Sequence, residues 1–211
     1  MSLHPNILTT RQRRALHLLA PELTTAGFYL AGGTCLAIRL GHRRSMDLDW
    51  FTGTAFDDPL LLARRLQRAG VPFVIDRIDA GSLLGRVAGV RVSLLEYSYP
   101  MLEPLTVWPT GKCRLAALPD LAAMKLSAIA QRGSKKDFVD LHTLILRRLS
   151  LNQMLAWYRR KYGVKDTAHV RYSLLYFDDA NTERMPRMLA KADWRSIRRT
   201  IQLWVKASSW K

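Results

Sequence analysis

Two carboxylates with one residue between them, Asp47 and Asp49, point most directly to chemistry in this chain. Residues 46–51 are predicted to form a strand. Because strand side chains alternate, both carboxylates point to one face, while Leu48 and Trp50 point into the core. Neighbouring carboxylates repel each other strongly unless a cation lies between them. Such oxygen ligands suit Mg²⁺, with Mn²⁺ as the alternative, which a protein holds with one or two carboxylates plus substrate phosphates.

A glycine turn precedes this strand. Gly32, Gly33 and Thr34 lie between a short apolar strand at residues 28–30 and an apolar helix at residues 35–40, which Thr34 is predicted to cap. Two glycines before a helix leave backbone N–H groups uncovered, and a phosphate can bind there. Either feature alone is common in ordinary turns and strand edges. Together in one strand–helix–strand unit they favour a nucleotide site with a metal.

Three further charged residues follow in a helix–turn–helix. Lys125 lies in a helix predicted at residues 121–131, and Asp137 and Asp140 lie three apart on one face of the next helix. A lysine suits a triphosphate and could offset charge that develops during phosphoryl transfer. The alternative is structural: Lys125 extends along a surface helix, and Asp137 stabilises the first turn of its own helix.

The position of a third carboxylate stays open. In the predicted strand at residues 90–96 only Glu96 is acidic, whereas Ser93 lies closer to the place where a third metal ligand is expected. A hydroxyl is a poor replacement for a carboxylate on a divalent ion. Glu96 is therefore either a metal ligand or a solvated strand end.

The motifs resemble those of the AbiEii/AbiGii toxin family, which has a nucleotidyltransferase fold and counts the mycobacterial MenT toxins among its relatives. The resemblance rests on Gly32-Gly33-Thr34, Gly41-His42-Arg43-x-Ser45, Asp47-Leu48-Asp49 and residues 124–141, and it extends to about residue 179. It implies that Lys125 contacts the phosphates and that Asp140 is the later catalytic aspartate. Asp137 is the second candidate for that role. It places Ser45 in the nucleotide-binding motif. Arg43 and Arg44 are further candidates for phosphate contact, although a loop arginine pair is more often only solvated.

Charge is distributed unevenly along the 211 residues. Residues 1–108 carry 12 basic and 9 acidic side chains, whereas residues 109–211 carry 21 and 8, and the net charge of the chain is +16. The basic half indicates a polyanionic partner, of which nucleic acid is the commonest. An acidic protein or an anionic membrane surface would also explain it. The sequence contains no apolar run of transmembrane length and no signal peptide, and its two cysteines lack metal spacing, which indicates a soluble, cytoplasmic protein.

The order of elements predicts a mixed α/β (α+β) fold. Four or five strands flanked by helices form a nucleotidyltransferase-like core at residues 1–108. Residues 109–211 are predicted to be mainly helical and basic, to end in a helix at residues 193–210, and to contribute Lys125 and Asp140 to the site.

These features lead to one main hypothesis and two alternatives. The main hypothesis is a Mg²⁺-dependent nucleotidyltransferase toxin that transfers a nucleotide from an NTP to an RNA acceptor. The family resemblance implies a cognate antitoxin and, through the MenT relatives, tRNA as the acceptor. The alternatives are a non-catalytic nucleic-acid-binding module on the same scaffold, and transfer of the nucleotide to a protein.

Overall fold

The computed structural model describes residues 3–55 and 58–208. Its helices are α1 (Thr10–Thr25), α2 (Gly32–Leu40), α3 (Pro59–Arg68), α4 (Leu118–Gln131), α5 (Lys135–Leu146), α6 (Leu151–Tyr162), α7 (Ala168–Ser173), α8 (Asp178–Thr182) and α9 (Trp194–Ala207). Its strands are β1 (Tyr29–Ala31), β2 (Leu48–Thr52), β3 (Val74–Asp79), β4 (Ser82–Val87), β5 (Val90–Glu96), β6 (Thr106–Trp108) and β7 (Cys113–Leu115). Trp210, in the predicted last helix, lies outside the described residues. Within them, no helix has both the length and the apolar character that crossing a bilayer requires.

The strands form one mixed sheet in the order β3-β4-β5-β2-β1-β7-β6. The predicted α/β class with a helical C-terminal part is confirmed, but the described residues form seven strands rather than four or five. The two extra strands, β6 and β7, have three residues each, too short to show a period-two pattern. Because β7 pairs with β1, the sheet continues past residue 108, and the division of domains at that residue stays a prediction.

Strand β2 lies at the centre of the sheet, between β1 and β5. Leu48 and Trp50 are fully buried, as the alternation predicts. The strand begins at Leu48, so the prediction that it begins at residue 46 is wrong. Strand β1 ends at Ala31, opposite Asp49, where the chain enters α2, and β1 therefore offers no partner to the residues before Leu48.

A buried ion pair fixes the connection that follows β5. Lys161 Nζ on α6 lies 2.7 Å from Asp120 Oδ1 on α4, and both side chains are fully buried. Asp120 also accepts the backbone N–H groups of Leu102 and Glu103, and Lys161 donates to the carbonyl of Pro100. Two helices are thus joined to residues 100–103, which orders the proline-rich segment after Tyr97.

Both cysteines contribute to the core. Cys35 and Cys113 are free and buried. Burial raises the pKa of the Cys35 thiol to about 11, so this thiol stays protonated at neutral pH. A protonated, enclosed thiol is a poor nucleophile, and Cys35 serves as a small packing residue in α2.

Candidate active site

The two carboxylates of the first motif lie where β2 begins. Asp49 lies opposite Ser93 in the parallel pairing of β2 with β5, and Ser93 Oγ donates to Asp49 Oδ1 at 3.0 Å. Asp47, just before the strand, accepts a hydrogen bond from Arg91 Nε at 2.8 Å on its Oδ1. Burial is the main reason that the pKa of Asp49 is raised; the hydrogen bond from Ser93 opposes this effect and the charge of Asp47 adds to it. A divalent cation would relieve both the burial cost and the repulsion.

The first turn of α2 exposes bare backbone next to Asp49. Gly32 has a φ of +64°, and a Cβ on it would lie 2.5 Å from Asp49 Oδ2. On Gly33 a Cβ would lie 2.9 Å from Arg43 Nη2 and 3.1 Å from Ser45 Oγ. The first N–H groups of a helix have no intrahelical partner and lie at its positive end, so an anion can bind there. Only glycine lets this backbone approach the carboxylate so closely.

Thr34 has a different role from the predicted cap. The helix already begins at Gly32 with Ala31 as its N-cap, so the cap prediction is wrong. Thr34 is fully buried inside α2 and its hydroxyl donates to the carbonyl of Asp47. This bond joins α2 to the segment that carries the carboxylates, and it directs the Thr34 side chain away from the cleft.

Lys125 lies between the two aspartates of the second motif. Its Nζ lies 2.8 Å from Asp137 Oδ1 and 2.7 Å from Asp140 Oδ2, and all three side chains are buried. Asp137 also accepts from Arg132 and Ser134. Burial alone would raise the pKa of Asp137, but the charge of Lys125 and the hydrogen bonds of Arg132 hold it at about 2. The lysine is therefore held in one place as a cation.

Asp140 is enclosed by His42 and Arg43 from the loop before Asp47 and by Lys125 from α4. Arg43 binds it through both oxygens, with Nε at 2.6 Å from Oδ1 and Nη2 at 2.8 Å from Oδ2. His42 Nε2 lies 2.7 Å from Oδ1, and Lys125 contacts Oδ2. Despite complete burial, which acts in the opposite direction, the charges of Lys125 and Arg43 and the hydrogen bonds from His42 and Arg43 hold the pKa of Asp140 well below its usual range. Asp140 thus ties the loop before Asp47 to α4 and α5.

Neither of the two predicted arginines lines the cleft. Arg43 is buried against Asp140, and the backbone N–H of Arg44 donates to the carbonyl of Arg187 at 2.8 Å. Arg43 also forms an isolated bridge with Met188, so the segment after α8 covers this loop. Ser45 contributes its carbonyl to Gln12 Nε2 at 2.7 Å, while its hydroxyl lies beside Gly33. Arg43 therefore orders the loop through its side chain, and Arg44 orders it through its backbone N–H.

A cleft of about 640 Å³ brings part of the predicted set together. Of the predicted residues, its lining includes Gly32, Gly33, Asp49 and Lys125. Asp47 lines a neighbouring groove of about 280 Å³, which shares Asp49 and Ser93 with the cleft. The other predicted residues line neither the cleft nor the groove: Thr34, Arg43, Arg44, Ser45, Asp137 and Asp140.

Glu96 lies away from the carboxylate pair. It is three residues beyond Ser93 on β5 and so points to the opposite face of the sheet. Its carboxylate lies at the turn between β3 and β4, where a Cβ on Gly81 would meet Glu96 Oε2 at 3.2 Å. In residues 3–55 and 58–208, no three His, Cys, Asp or Glu side chains group to hold a metal ion. Asp47 and Asp49 therefore remain the candidate ligands.

The structure adds site residues that sequence reasoning missed. Arg132 lines the cleft beside Lys125, and its contact with Asp137 bridges a helix break. Four tyrosines line the far end of the cleft: Tyr97, Tyr99, Tyr158 and Tyr162. The one available signal was the spacing of Tyr97 and Tyr99, which places both on one face of an extended segment.

Comparison with known proteins identifies relatives that match most of the chain. The family profile described as "Nucleotidyl transferase AbiEii toxin, Type IV TA system" matches residues 16–207. An uncharacterised protein of Aquifex aeolicus is 37% identical over 179 residues, which cover 83% of this chain and 86% of the relative.

Solved structures share the fold. MenT4, a nucleotidyltransferase toxin of Mycobacterium tuberculosis, has a TM-score of 0.60 at 17% identity, over 94% of this chain and 82% of its own. JHP933 of Helicobacter pylori has a TM-score of 0.50 at 15% identity, over 97% of this chain and 94% of its own. The predicted nucleotidyltransferase-like fold is thereby confirmed.

Proposed function

The chain belongs to the AbiEii nucleotidyltransferase toxin family of type IV toxin–antitoxin systems, and from that premise we propose that it transfers a nucleotide from an NTP to a hydroxyl of RNA. The family match supports the nucleotidyltransferase class and a cognate antitoxin. What we propose beyond the family match is the acceptor, the metal and the roles of individual residues.

One observation carries the proposal: the bare turn at Gly32 and Gly33 faces both a carboxylate and a fixed lysine across one cleft. Phosphates of the NTP would bind the N–H groups of this turn, and Lys125 would contact them from α4. Because Asp137 and Asp140 hold Lys125 in place as a cation, its charge requires little rearrangement to act.

The carboxylates fit a divalent metal. Asp47 and Asp49 would hold Mg²⁺, or Mn²⁺, together with phosphate oxygens, since a divalent cation would offset both the burial of Asp49 and the charge of the neighbouring Asp47, which raise the Asp49 pKa. When bound, the ion neutralises charge on the reacting phosphate and on the departing pyrophosphate. A metal bound to Asp47 through Oδ1 would compete with Arg91 for that oxygen.

In the proposed reaction the acceptor hydroxyl attacks the α-phosphorus. A new oxygen–phosphorus bond forms, the bond between the α-phosphorus and the bridging oxygen breaks, pyrophosphate leaves, and the proton of the hydroxyl passes to water. Lys125 offsets negative charge on the phosphates, and the α2 backbone orients them. Asp140, which touches neither substrate in this arrangement, is assigned a positioning role, as is Asp137.

The charge of residues 109–211 supports RNA as the acceptor. These residues carry 21 basic and 8 acidic side chains, and a surface of this kind attracts phosphate backbones. Transfer RNA is the specific candidate that follows from the resemblance to the MenT toxins. Transfer to a protein remains the competing acceptor, and label distribution separates the two.

The test incubates the purified protein with Mg²⁺, each α-labelled NTP in turn, and total tRNA or cell lysate. We expect label on RNA, lost in Asp49→Asn and retained in Asp79→Asn, a control that removes an exposed carboxylate on β3 outside the cleft. Label on protein alone would replace the RNA acceptor with a protein acceptor. No label with any NTP, from a protein that still binds RNA, would support the non-catalytic module instead.

A further inference from the structure

The cleft has two chemically different ends. Asp49, Ser93, Lys125 and Arg132 line one end, and the four tyrosines line the other with Leu121 and Val164. The polar end contains the groups that the proposed function assigns to phosphates and metal. The aromatic end has no role in that assignment.

The two ends lie along one strand direction. Ser93, Leu95 and Tyr97 share a face of the extended chain, since they are two residues apart. The Tyr97 N–H donates to the carbonyl of Thr52 at 2.8 Å, so the pairing of β5 with β2 continues to Tyr97. At 3.3 Å per residue, Tyr97 lies about 13 Å from Ser93 along the strand. An NTP bound by its phosphates at Asp49 extends over a comparable length to its base.

The tyrosines form one connected cluster around Tyr99. Its ring centroid lies 5.0 Å from that of Tyr97 and 4.8 Å from that of Tyr162, with interplanar angles of 63° and 74°. Tyr97 and Tyr162 are joined by a hydrogen bond of 2.7 Å between their hydroxyls. Edge-to-face contacts of this kind are favourable and fix the orientation of a ring. Tyr99 is therefore held by neighbours that are themselves fixed.

Tyr99 is the exposed member of this cluster. It is 45% exposed, whereas Tyr158 is 7% exposed and belongs to the core. The partly buried Tyr97 and Tyr162 hydrogen-bond each other, and the Tyr158 hydroxyl pairs with His169, which accounts for these tyrosines without a ligand. An exposed ring in a cleft wall, held from behind, is instead a surface on which another flat ring can stack.

We propose that Tyr99 stacks against the nucleobase of the donor NTP, so that the cleft binds phosphates at its polar end and the base at its aromatic end. This inference rests on the proposed function for the identity of the occupant. The cleft volume of about 640 Å³ lies in the range of small-molecule sites and suits one nucleotide. Every base has a flat π-face, so the stacking itself adds affinity without selecting the base.

The test compares two ligands that share only their phosphates. Calorimetry on the full chain measures the Kd of each Mg·NTP and of Mg·tripolyphosphate. In Tyr99→Ala we expect the Kd of the NTP to rise by roughly 5- to 150-fold, the range found when one stacked base loses its aromatic partner. The Kd of tripolyphosphate should change less than twofold. Tyr99→Phe should match the wild type, and so should Tyr176→Ala, which removes a 54% exposed tyrosine outside the cleft.

The outcomes separate this inference from the proposed function. Equal losses for NTP and tripolyphosphate in Tyr99→Ala, or no loss for either, would overturn the stacking role. If the wild type transfers label but Tyr99→Ala binds NTP normally, the base site fails and the transferase stands. If Tyr99→Ala loses NTP alone and the wild type transfers no label, the base site stands and the transferase fails. A wild type that binds neither ligand overturns both.

Discussion

Lys125 and Asp140 form a buried ion pair, with 2.7 Å between Nζ and Oδ2, and this pair links helix α4 to helix α5 behind the cleft. Asp140 also binds Arg43 and His42 from the loop before Asp47. One carboxylate therefore fixes three parts of the site relative to each other. Removal of one partner from a buried ion pair is costly because it leaves a desolvated charge without compensation.

The first prediction concerns Asp140→Asn. The substitution keeps the side-chain shape but leaves Lys125 and Arg43 with one counter-charge fewer in a buried site. We expect the free energy of unfolding to fall by about 3–5 kcal/mol, with loss of nucleotide transfer because Lys125 is no longer held. Urea unfolding and the label-transfer assay measure the two effects.

Asp47→Asn is the matched comparison. Its carboxylate is partly exposed and pairs with Arg91, whose side chain is 72% exposed. An exposed pair of this kind contributes about 0–1 kcal/mol, so Asp47→Asn should lose transfer with little change in stability. A stable, inactive Asp140→Asn protein would contradict the positioning role and make Asp140 a candidate for direct contact with substrate.

The second prediction is the pH dependence of stability near Asp137. Its pKa in the folded protein is about 2, below its ordinary value of 3.8. A depressed pKa contributes stability that is fully present above 3.8 and is lost as the pH falls toward 2. The contribution is about 2 kcal/mol. The difference in unfolding free energy between wild type and Asp137→Asn should shrink over this acid range, measured by urea titration at each pH. A difference independent of pH would contradict the assigned ion pairs.

Local pattern was enough to predict the centre of the fold. The alternation in residues 46–51 predicts the buried faces of Leu48 and Trp50, and the strand predicted at residues 90–96 has the same bounds as β5. These features depend on neighbours in sequence. Strand β7 does not, since Leu115 pairs with Leu30, far away in sequence, and three residues carry too little pattern to reveal the pairing.

The residues of the candidate site also fall into those that a local motif predicts and those that depend on contacts between distant segments. The Gly-Gly turn and the Asp pair could be predicted because each is a local motif with its own chemistry. The direction of Arg43 could not, because Asp140 that binds it lies 97 residues away. The same holds for Tyr99, whose neighbour Tyr162 comes from α6. Contacts between distant segments decide which charged or aromatic residues face the cleft.

The third prediction tests the close approach of Gly32 to Asp49. Gly32→Ala places a Cβ 2.5 Å from Asp49 Oδ2 and forces alanine into a left-handed φ of +64°. The backbone strain alone costs about 1–2 kcal/mol. Gly70→Ala is the matched control, because Gly70 has a φ of +81° and open space around its Cβ position.

Both variants should lose the stability that backbone strain costs, Gly32→Ala more because its Cβ also meets Asp49, but only Gly32→Ala should lose transfer and stabilisation by Mg²⁺. At a Mg²⁺ concentration 100 times its Kd, a metal that binds only the folded protein adds about 2.7 kcal/mol. Thermal unfolding with and without Mg²⁺, beside the transfer assay, measures this. Retention of both properties in Gly32→Ala would show that the turn does not have to approach the carboxylate.

The fourth prediction concerns Arg91, which holds Asp47 Oδ1 at 2.8 Å through Nε. A metal bound to that oxygen must displace the arginine, so Arg91→Ala should tighten Mg²⁺ binding. Since the pair is exposed and contributes about 0–1 kcal/mol, the expected gain is at most about fivefold. Arg91 also lines the groove beside the carboxylates with Arg77, where a phosphate backbone that approaches Asp49 would find two cations.

Arg91→Ala should therefore have opposite effects on the two ligands: a lower Mg²⁺ concentration for half-maximal transfer and a higher KM for RNA. Arg86→Ala is the control, since Arg86 faces Arg91 across the β4–β5 pair but binds Asp76 instead of Asp47. It should leave the Mg²⁺ requirement unchanged. Arg91→Ala could instead lower the Mg²⁺ concentration for half-maximal transfer and leave the KM for RNA unaltered. Arg91 would then only neutralise Asp47 in the metal-free protein, and the acceptor would enter the site by another path.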